Sequence, residues 1–209
     1  MSETFVEETI RKSMGDVAFD IGANHGHYTN MLSKYFKYVY AFEPFPETVN
    51  HLRKKYPQDR VHHHHVHVEE LAISNVTGET PLYVSNASDT GHSISEQIVF
   101  SEEDPRYWGK EYFSRDRLIM VPCITIDDYC KQHNLIPTLI KMDIEGGEAF
   151  AWEGAVDLLT NHNPQILLEI HLIDMPKLET FFKDLGYKFY QDKHQVQHFE
   201  RYQHYLIKK

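Results

Sequence analysis

The stretch that decides the fold is DIGANHGHYTNMLSKYFKYVYAFE, which runs from Asp20 to Glu43. It overlaps an apolar run at 17–21 that predicts a buried first strand. Helical periodicity at 28–36 and a second apolar run at 38–42 follow. A strand, a turn with glycines, a helix and a second strand are typical of an open α/β sheet. In such sheets ligands bind beside the turn that follows the first strand.

The residues of this turn discriminate between two ligand classes. A dinucleotide site needs three glycines in the order G-x-G-x-x-G, but Asn24 and His27 stand where the second and third would be. A carboxylate at Asp20 would repel a pyrophosphate, whereas it would attract the ammonium and sulfonium groups of S-adenosylmethionine. Glu43 ends the second strand about 20 residues further on, where an acid can accept both ribose hydroxyls. The pattern therefore favours S-adenosylmethionine over a nicotinamide dinucleotide.

The remainder of the chain alternates apolar runs of strand length with helical segments, as an α/β protein does. Strands are predicted within 61–72 and at 81–84, 119–124, 139–143, 166–170, 187–190 and 202–207. Helices are predicted at 46–55, 127–133, about 146–160 and 176–185. We expect a single domain over residues 1–209, interrupted by an irregular polar insertion at about 85–118. Such an insertion is a candidate lid or substrate region. Trp108 and its neighbouring aromatics would either stack on a sugar ring or pack the lid.

Composition excludes several classes of protein. The 209 residues are 41% hydrophobic, which is enough for one compact core. The formal net charge is -10 and no basic stripe is present, which argues against a nucleic-acid partner. The sequence has no run long enough to span a membrane and no signal-peptide core. With only two cysteines, Cys123 and Cys130, we expect a cytoplasmic protein in a reducing compartment.

Several motifs, taken together and in this order, resemble the FkbM family of methyltransferases. KMDIEGGE is the most distinctive of them. They are VAFDIGANHGHYT (17–29), VYAFEPFPE (39–47), EELAIS (69–74), ITIDDYC (124–130), LIKMDIEGGE (139–148), EGA (153–155) and ILLEIH (166–171).

This resemblance implies a Rossmann-like class I methyltransferase fold, in which a mostly parallel seven-stranded sheet carries helices on both faces. It also implies S-adenosylmethionine as cofactor and transfer of methyl to a hydroxyl oxygen, often on a saccharide or a polyketide-like small molecule. By position, Asp20, Gly22, Asn24 and Gly26 are expected near the methionine part and Glu43 at the ribose. The positions beside the adenine are Glu70, Leu71 and Ala72.

Acidic and histidine residues end two neighbouring strands. Asp143 and Glu145 follow the strand at 139–143, and Glu169 and His171 follow the strand at 166–170, so all four are expected to converge on one crevice. An alcohol acceptor loses a proton as it attacks, and His171 has the best-matched pKa for a base, with Asp143 as the alternative. Asp143 is also expected to touch the cofactor or the acceptor. A structural interpretation, which is compatible with the functional one, is that Asp143 and Glu145 cap the helix that begins near Gly146.

Two metal interpretations remain open at this stage. The same carboxylates and histidine could hold a divalent ion beside the acceptor oxygens, but nothing in the spacing fixes a geometry, and no metal ligand is assigned. The run His62 to His65 together with His67 would place His63, His65 and His67 on one face of a strand. We favour a histidine-rich polar face over a metal site there.

We therefore expect a methyltransferase that acts on a hydroxyl of a small molecule, a saccharide being one candidate, with no nucleic acid and no membrane as partner. The alternatives are a nitrogen or RNA acceptor, and a homologue that binds the cofactor without catalysis. The sequence does not indicate an oligomeric state.

Overall fold

The computed structural model describes residues 3–57, 65–85, 92–95, 113–171, 175–192, 194–200 and 202–209. Its helices are α1 (Glu3–Lys12), α2 (His27–Leu32), α3 (Pro46–Lys55), α4 (Ile126–His133), α5 (Glu148–Glu153), α6 (Val156–Asn161) and α7 (Met175–Asp184). Its strands are β1 (Gly15–Ile21), β2 (Phe36–Phe42), β3 (Val66–Glu69), β4 (Ala72–Ile73), β5 (Gly78–Ser85), β6 (Phe113–Ile124), β7 (Leu139–Met142), β8 (Gln165–Glu169), β9 (Lys188–Gln191), β10 (His194–Val196) and β11 (His204–Lys208).

The main sheet of the described residues contains eight strands in the order β10-β9-β11-β8-β7-β1-β2-β3. Five strands of this sheet are mutually parallel, namely β3, β2, β1, β7 and β8. The strands β11, β9 and β10 add antiparallel pairs. The expected mostly parallel, Rossmann-like α/β sheet is thereby confirmed. The strand beyond the expected seven is β10, a three-residue edge segment, His-Gln-Val, which is too short and polar to show an alternating pattern.

Alternation along β1 divides the core into two layers, one on each face of the sheet. Phe19 and Ile21 face a cluster that includes Trp152, whereas Ala18 faces a cluster that includes Leu32. Because consecutive side chains of a strand point to opposite faces, a central strand with both faces covered is mostly apolar, and in β1 the buried exception is Asp20. The helices on both faces hold β1 and β7 rigidly, and the residues after these strands are fixed with them.

A second sheet, in the order β4-β6-β5, packs its own apolar cluster beside the main sheet. In it Leu118 pairs with Tyr83 and Phe113 pairs with Ser85, so the expectation of an irregular segment is wrong for residues 113–118. The pairing partner, β5, lies more than twenty residues earlier, which a local pattern cannot reveal. Residues 86–91 and 96–112, including Trp108, lie outside the described part of the chain.

The helices differ from expectation in two places. The N-terminal helix α1 is not predicted by the sequence reasoning, although Phe5, Val6 and Ile10 bury its apolar face. The helix predicted at about 146–160 is divided at Gly154, where a Cβ would lie 2.5 Å from the carbonyl oxygen of Ser74. No helix among the described residues is both long and apolar enough to cross a membrane.

The histidine run is only partly described. His65 lies in the turn before β3, with its ring 3.2 Å from the carbonyl oxygen of Ser33, so it does not share a strand face with His67. His67 stacks on Tyr40, with 4.7 Å between the ring centroids. The expectation of one face for the odd-numbered histidines is therefore wrong at His65, while residues 62–64 lie outside the described part.

Candidate active site

A cavity of about 310 Å³ opens at the carboxyl ends of β1, β2 and β7. At this point the sheet extends in opposite directions from β1, through β2 on one side and β7 on the other. Such a point is the usual ligand crevice of an open α/β sheet. The volume is within the range of small-ligand pockets, about 300–1,000 Å³. Its walls combine apolar and ionisable side chains. The lining residues are Ile21, Gly22, Ala23, Asn24, His25, His27, Tyr28, Phe42, Glu43, Pro44, Leu71, Ala72, Ile73, Leu82, His92, Ile94, Lys141, Asp143, Ile144 and Glu145.

The glycine turn between β1 and α2 requires glycine for steric reasons. Gly22 has φ 79°, and a Cβ there would lie 1.8 Å from the carbonyl oxygen of Asp143. The backbone N–H groups of Gly22 and Ala23 both donate to the carbonyl oxygen of Phe42, at 3.0 Å. Gly26, with φ 76°, lets α2 start against Leu52, whose Cδ2 would be 2.8 Å from a Cβ. The turn is thus fixed between β7, β2 and α3.

Asn24 and Glu43 place hydrogen-bond acceptors on the cavity wall. The backbone N–H of Asn24 donates to Glu43 Oε2 at 2.9 Å, and the N–H of Phe45 donates to Oε1 at 3.0 Å. Among the described residues, the buried Oδ1 of Asn24 has no hydrogen-bond partner. Burial raises the pKa of Glu43 to about 7 in spite of its two backbone hydrogen bonds. These acceptors fit a ligand that brings hydroxyl or amino donors.

Asp20 lies behind the cavity wall. Its buried carboxylate accepts a 2.6 Å hydrogen bond from Thr29 Oγ1 and pairs with Lys141 Nζ at 3.4 Å. Lys141 in turn donates to the carbonyl oxygen of Gly22 at 3.2 Å and lines the cavity. Burial opposes the charge of Lys141, but Asp20 and Asp143 outweigh it and raise the pKa. Asp20 therefore touches the residues that shape the turn, and Lys141 presents the charge to the cavity.

Carboxylates surround His171 at the ends of β7 and β8. Its Nε2 lies 3.1 Å from Asp143 Oδ1 and 3.6 Å from Glu169 Oε1, and its Nδ1 lies 3.3 Å from Glu145 Oε2. We call these four residues the strand-end cluster. Burial lowers the pKa of His171, but the hydrogen bond to Asp143 and the neighbouring negative charges outweigh it and raise the pKa to about 10. These contacts favour the protonated ring, which makes His171 a weaker candidate for the general base than its ordinary pKa suggested.

The capping interpretation of these acids is wrong. Helix α5 begins after Gly147 without a side-chain cap, and the buried Glu148 accepts from the N–H of Gly146 at 3.0 Å. Glu145 has φ 53°, and its carbonyl oxygen accepts a 2.7 Å hydrogen bond from Ser93 Oγ. Asp143 and Glu145 are therefore directed to the cavity and to His171 instead of the helix.

Two further site residues were missed by sequence reasoning. His204 Nε2 lies 3.2 Å from Glu169 Oε2 and 3.4 Å from the hydroxyl of Tyr28, which lines the cavity. Burial lowers the pKa of His204. Tyr28 follows the glycine turn and was assigned only to a helix face. His204 comes from the antiparallel strand β11, where no motif indicates a site.

The predicted site residues fall into two groups. Those that line the cavity are Gly22, Asn24, Glu43, Leu71, Ala72, Asp143 and Glu145. Those that do not line it are Asp20, Gly26, Glu70, Glu169 and His171. Glu70 accepts a 2.8 Å hydrogen bond from Arg53 in an exposed position, outside the cavity lining. Glu169 and His171 contact the lining through Asp143 and Glu145.

The family model of the methyltransferase FkbM domain matches residues 20–189, from the aspartate of the glycine turn to the middle of β9. The chain belongs to the FkbM methyltransferase family. The match confirms the resemblance read from the glycine turn and the KMDIEGGE motif. No curated protein shows significant sequence similarity to the chain.

Solved structures of other methyltransferases share the fold. The FkbM methyltransferase of Methylobacillus flagellatus KT superposes with a TM-score of 0.59 at 18% identity and covers 94% of this FkbM chain. The chain spans only 44% of that protein. SMU.1697c from Streptococcus mutans, solved in complex with SAH, superposes with a TM-score of 0.51 at 11% identity and covers 100% of this chain and 97% of its own.

Proposed function

We propose that this S-adenosylmethionine-dependent methyltransferase of the FkbM family methylates a hydroxyl oxygen of a small molecule, with saccharides as the first candidates. The observation that carries the proposal is the position of Asp143 and Glu145. Both line the same cavity as the glycine turn and Glu43. The cavity therefore joins features suited to the cofactor to a group of carboxylates suited to an alcohol.

The cofactor half of the cavity is described by three features. Glu43 keeps a free lone pair on each oxygen after its two backbone bonds, which suits a pair of ribose hydroxyls. Asn24 Oδ1 is a buried acceptor that lacks a partner among the described residues, and it would be satisfied by an amino group of the methionine part. Leu71 and Leu82 add apolar wall, which suits an adenine ring.

Carboxylates favour a hydroxyl acceptor over the alternatives. An alcohol is a weak nucleophile whose proton leaves during attack, so a nearby proton acceptor accelerates the reaction. S-adenosylmethionine, held beside Glu43 and Asn24, would supply a methyl group on a sulfonium and would leave as S-adenosylhomocysteine. Because both ring nitrogens of His171 already face carboxylates, we infer that the hydroxyl proton passes to a carboxylate of the strand-end cluster.

Charge argues against an RNA acceptor. The formal net charge of the chain is -10, and the strand-end cluster adds acids beside the cavity. Nucleic-acid binding needs lysines and arginines that neutralise phosphates. A neutral hydroxylated molecule meets no such repulsion and can donate hydrogen bonds to the carboxylates.

The test is an acceptor screen with labelled S-adenosylmethionine against hydroxylated small molecules, amines and RNA. The proposal predicts S-adenosylhomocysteine formation with a member of the hydroxylated set, and its loss in Asp143→Asn. Exposed Asp157, changed to Asn, is the matched control and should keep the activity. Transfer confined to amines or RNA would contradict the proposal.

A further inference from the structure

We propose that Asp143, Glu145 and His171 form a divalent-cation site of the Mg²⁺ or Mn²⁺ class. The ion would bind the acceptor through its hydroxyl and a second oxygen on the neighbouring atom. The binding of the acceptor to the ion rests on the proposed hydroxyl acceptor, whereas the ion site itself rests on the protein geometry alone.

The three side chains already present a compact ligand set. One ligand atom from each residue lies within 4.8 Å of the others, and Asp143 Oδ1 is 3.1 Å from His171 Nε2. Octahedral Mg²⁺, with ligands at about 2.0–2.1 Å, needs about 3 Å between adjacent ligand atoms and about 4 Å between opposite ones. Small side-chain movements therefore suffice to bind an ion. Carboxylates suit Mg²⁺ and Mn²⁺, and imidazole favours the transition metals, so Mn²⁺ accommodates the mixed set.

The contacts of His171 require a positive charge inside the cluster. Both ring nitrogens face carboxylates, Nε2 towards Asp143 and Nδ1 towards Glu145. A neutral imidazole has one N–H, so its bare nitrogen would face a carboxylate and repel it. Either a second ring proton or a cation bound between the ring and the carboxylates removes this conflict. A divalent ion fills the role and adds a further positive charge.

Neighbouring groups leave this region rich in negative charge. Glu169 Oε1 is 3.6 Å from His171, while Lys141 approaches the opposite oxygen of Asp143 at 3.9 Å. Independently, Glu148 is 0% exposed, its Oε2 has no hydrogen-bond partner among the described residues, and its charge interacts with His171. A buried carboxylate oxygen without a hydrogen bond is costly. A bound cation would stabilise all of these carboxylates together.

The proposed ion would be open to the cavity. The side chains of Asp143 and Glu145 are 25% and 34% exposed and line the cavity, whereas His171 lies behind them. An octahedral ion with three protein ligands keeps three positions for oxygens of the solvent or the acceptor. Two adjacent acceptor oxygens would occupy two of these positions and fix the orientation of the hydroxyl. The acceptor class is therefore a vicinal diol or a similar pair of oxygens, as sugars provide.

The site is tested by titrating the full chain with Mn²⁺ and measuring free Mn²⁺ by electron paramagnetic resonance. We expect one ion per chain, with affinity reduced at least about tenfold in Asp143→Asn and His171→Ala. His198→Ala is the matched control, because His198 also contacts a carboxylate, Glu179, at 3.0 Å but is exposed and does not line the cavity. It should leave the affinity unchanged. Absence of binding to the wild type, or equal binding by all variants, would overturn the site.

Folding and function are separated by two further measurements. Calorimetry with S-adenosylhomocysteine reports whether each variant keeps its cofactor pocket. If His171→Ala loses S-adenosylhomocysteine binding, the test of the ion site passes to Glu145→Gln, whose side chain is 34% exposed. An unchanged Mn²⁺ affinity in Glu145→Gln would contradict the proposal. Methylation of isolated hydroxyls that survives chelation would refute the ion as an acceptor ligand while leaving the hydroxyl-transfer proposal intact.

Discussion

Lys141 Nζ lies 3.4 Å from Asp20 Oδ1, and both side chains are buried beneath the glycine turn. Replacing Lys141 by Met leaves the carboxylate of Asp20 buried without its counter-charge. Breaking a buried pair from one side costs about 3–5 kcal/mol. We therefore expect Lys141→Met to lower the free energy of unfolding by about that amount, as measured in urea.

A surface ion pair provides the control for this prediction. Lys177 pairs with Glu153 at 3.1 Å in a largely exposed position. Lys177→Met should cost about 1 kcal/mol or less. The double variant Asp20→Asn/Lys141→Met should recover part of the loss, because the uncompensated charge is gone. Equal effects of Lys141→Met and Lys177→Met would mean that the buried pair contributes nothing specific.

The single methyl group that Gly22→Ala adds should abolish cofactor binding. Gly22→Ala introduces a Cβ 1.8 Å from the carbonyl oxygen of Asp143, in addition to the strain of φ 79°. We expect loss of S-adenosylhomocysteine binding in calorimetry and a large drop in thermal stability. Gly186→Ala isolates the strain, since φ is 82° there and nothing lies within 4 Å of the new atom. That control should cost only about 1–2 kcal/mol and keep full binding.

Glu43 should make cofactor affinity depend on pH. Its pKa is raised to about 7 by burial, and ribose hydroxyls donate to the carboxylate form. Below pH 7 the site must lose a proton before binding, so affinity falls by about tenfold per pH unit and levels off above pH 7. The same raised pKa adds to the free energy of unfolding at low pH, where Glu43 is protonated. This contribution is lost as pH rises from about 4.5 to about 7.

Calorimetry with S-adenosylhomocysteine at pH 6 and pH 8 measures this dependence. Glu43→Gln should bind weakly and with no such pH dependence, because it has no carboxylate to titrate. Glu47→Gln, an exposed change in the first turn of α3, is the control and should behave as the wild type. A wild-type affinity that is flat across this pH range would remove Glu43 from the ribose role.

A change at Asp143 should slow methyl transfer much more than it weakens cofactor binding. Asp143→Asn keeps the shape of the side chain but removes the charge that faces His171 at 3.1 Å. We expect kcat to fall by about 10²–10⁴, the range of general acid–base effects. The dissociation constant of S-adenosylhomocysteine should change only a few-fold, since Glu43 and the glycine turn are untouched. A variant with normal kcat would show that Asp143 lies outside the reaction.

The sequence was sufficient for the features that are local along the chain. The glycine turn follows a strand and is closed by a second strand that ends in Glu43, so periodicity and spacing were enough to place the cavity. The strand-end cluster was also predictable, because neighbouring parallel strands end at the same edge.

The features that depend on distant partners were not predictable. Asp20 is turned to Lys141, and His204 reaches Glu169 from an antiparallel strand at the end of the chain. His171 was expected to be a base from its ordinary pKa, but its charge is set by three carboxylates that only the fold assembles. Long-range electrostatics therefore accounts for most of the difference between the expected and the observed site.

We propose that the cavity beside Glu43 and Asp143 transfers methyl to oxygen. The most direct test uses S-adenosylmethionine with a ¹³C-labelled methyl group and the acceptor found by screening, and determines by NMR which atom of the product carries the label. We expect a methoxy carbon in the product of the wild type and none with Asp143→Asn. A label bonded to nitrogen or carbon in the product would contradict it.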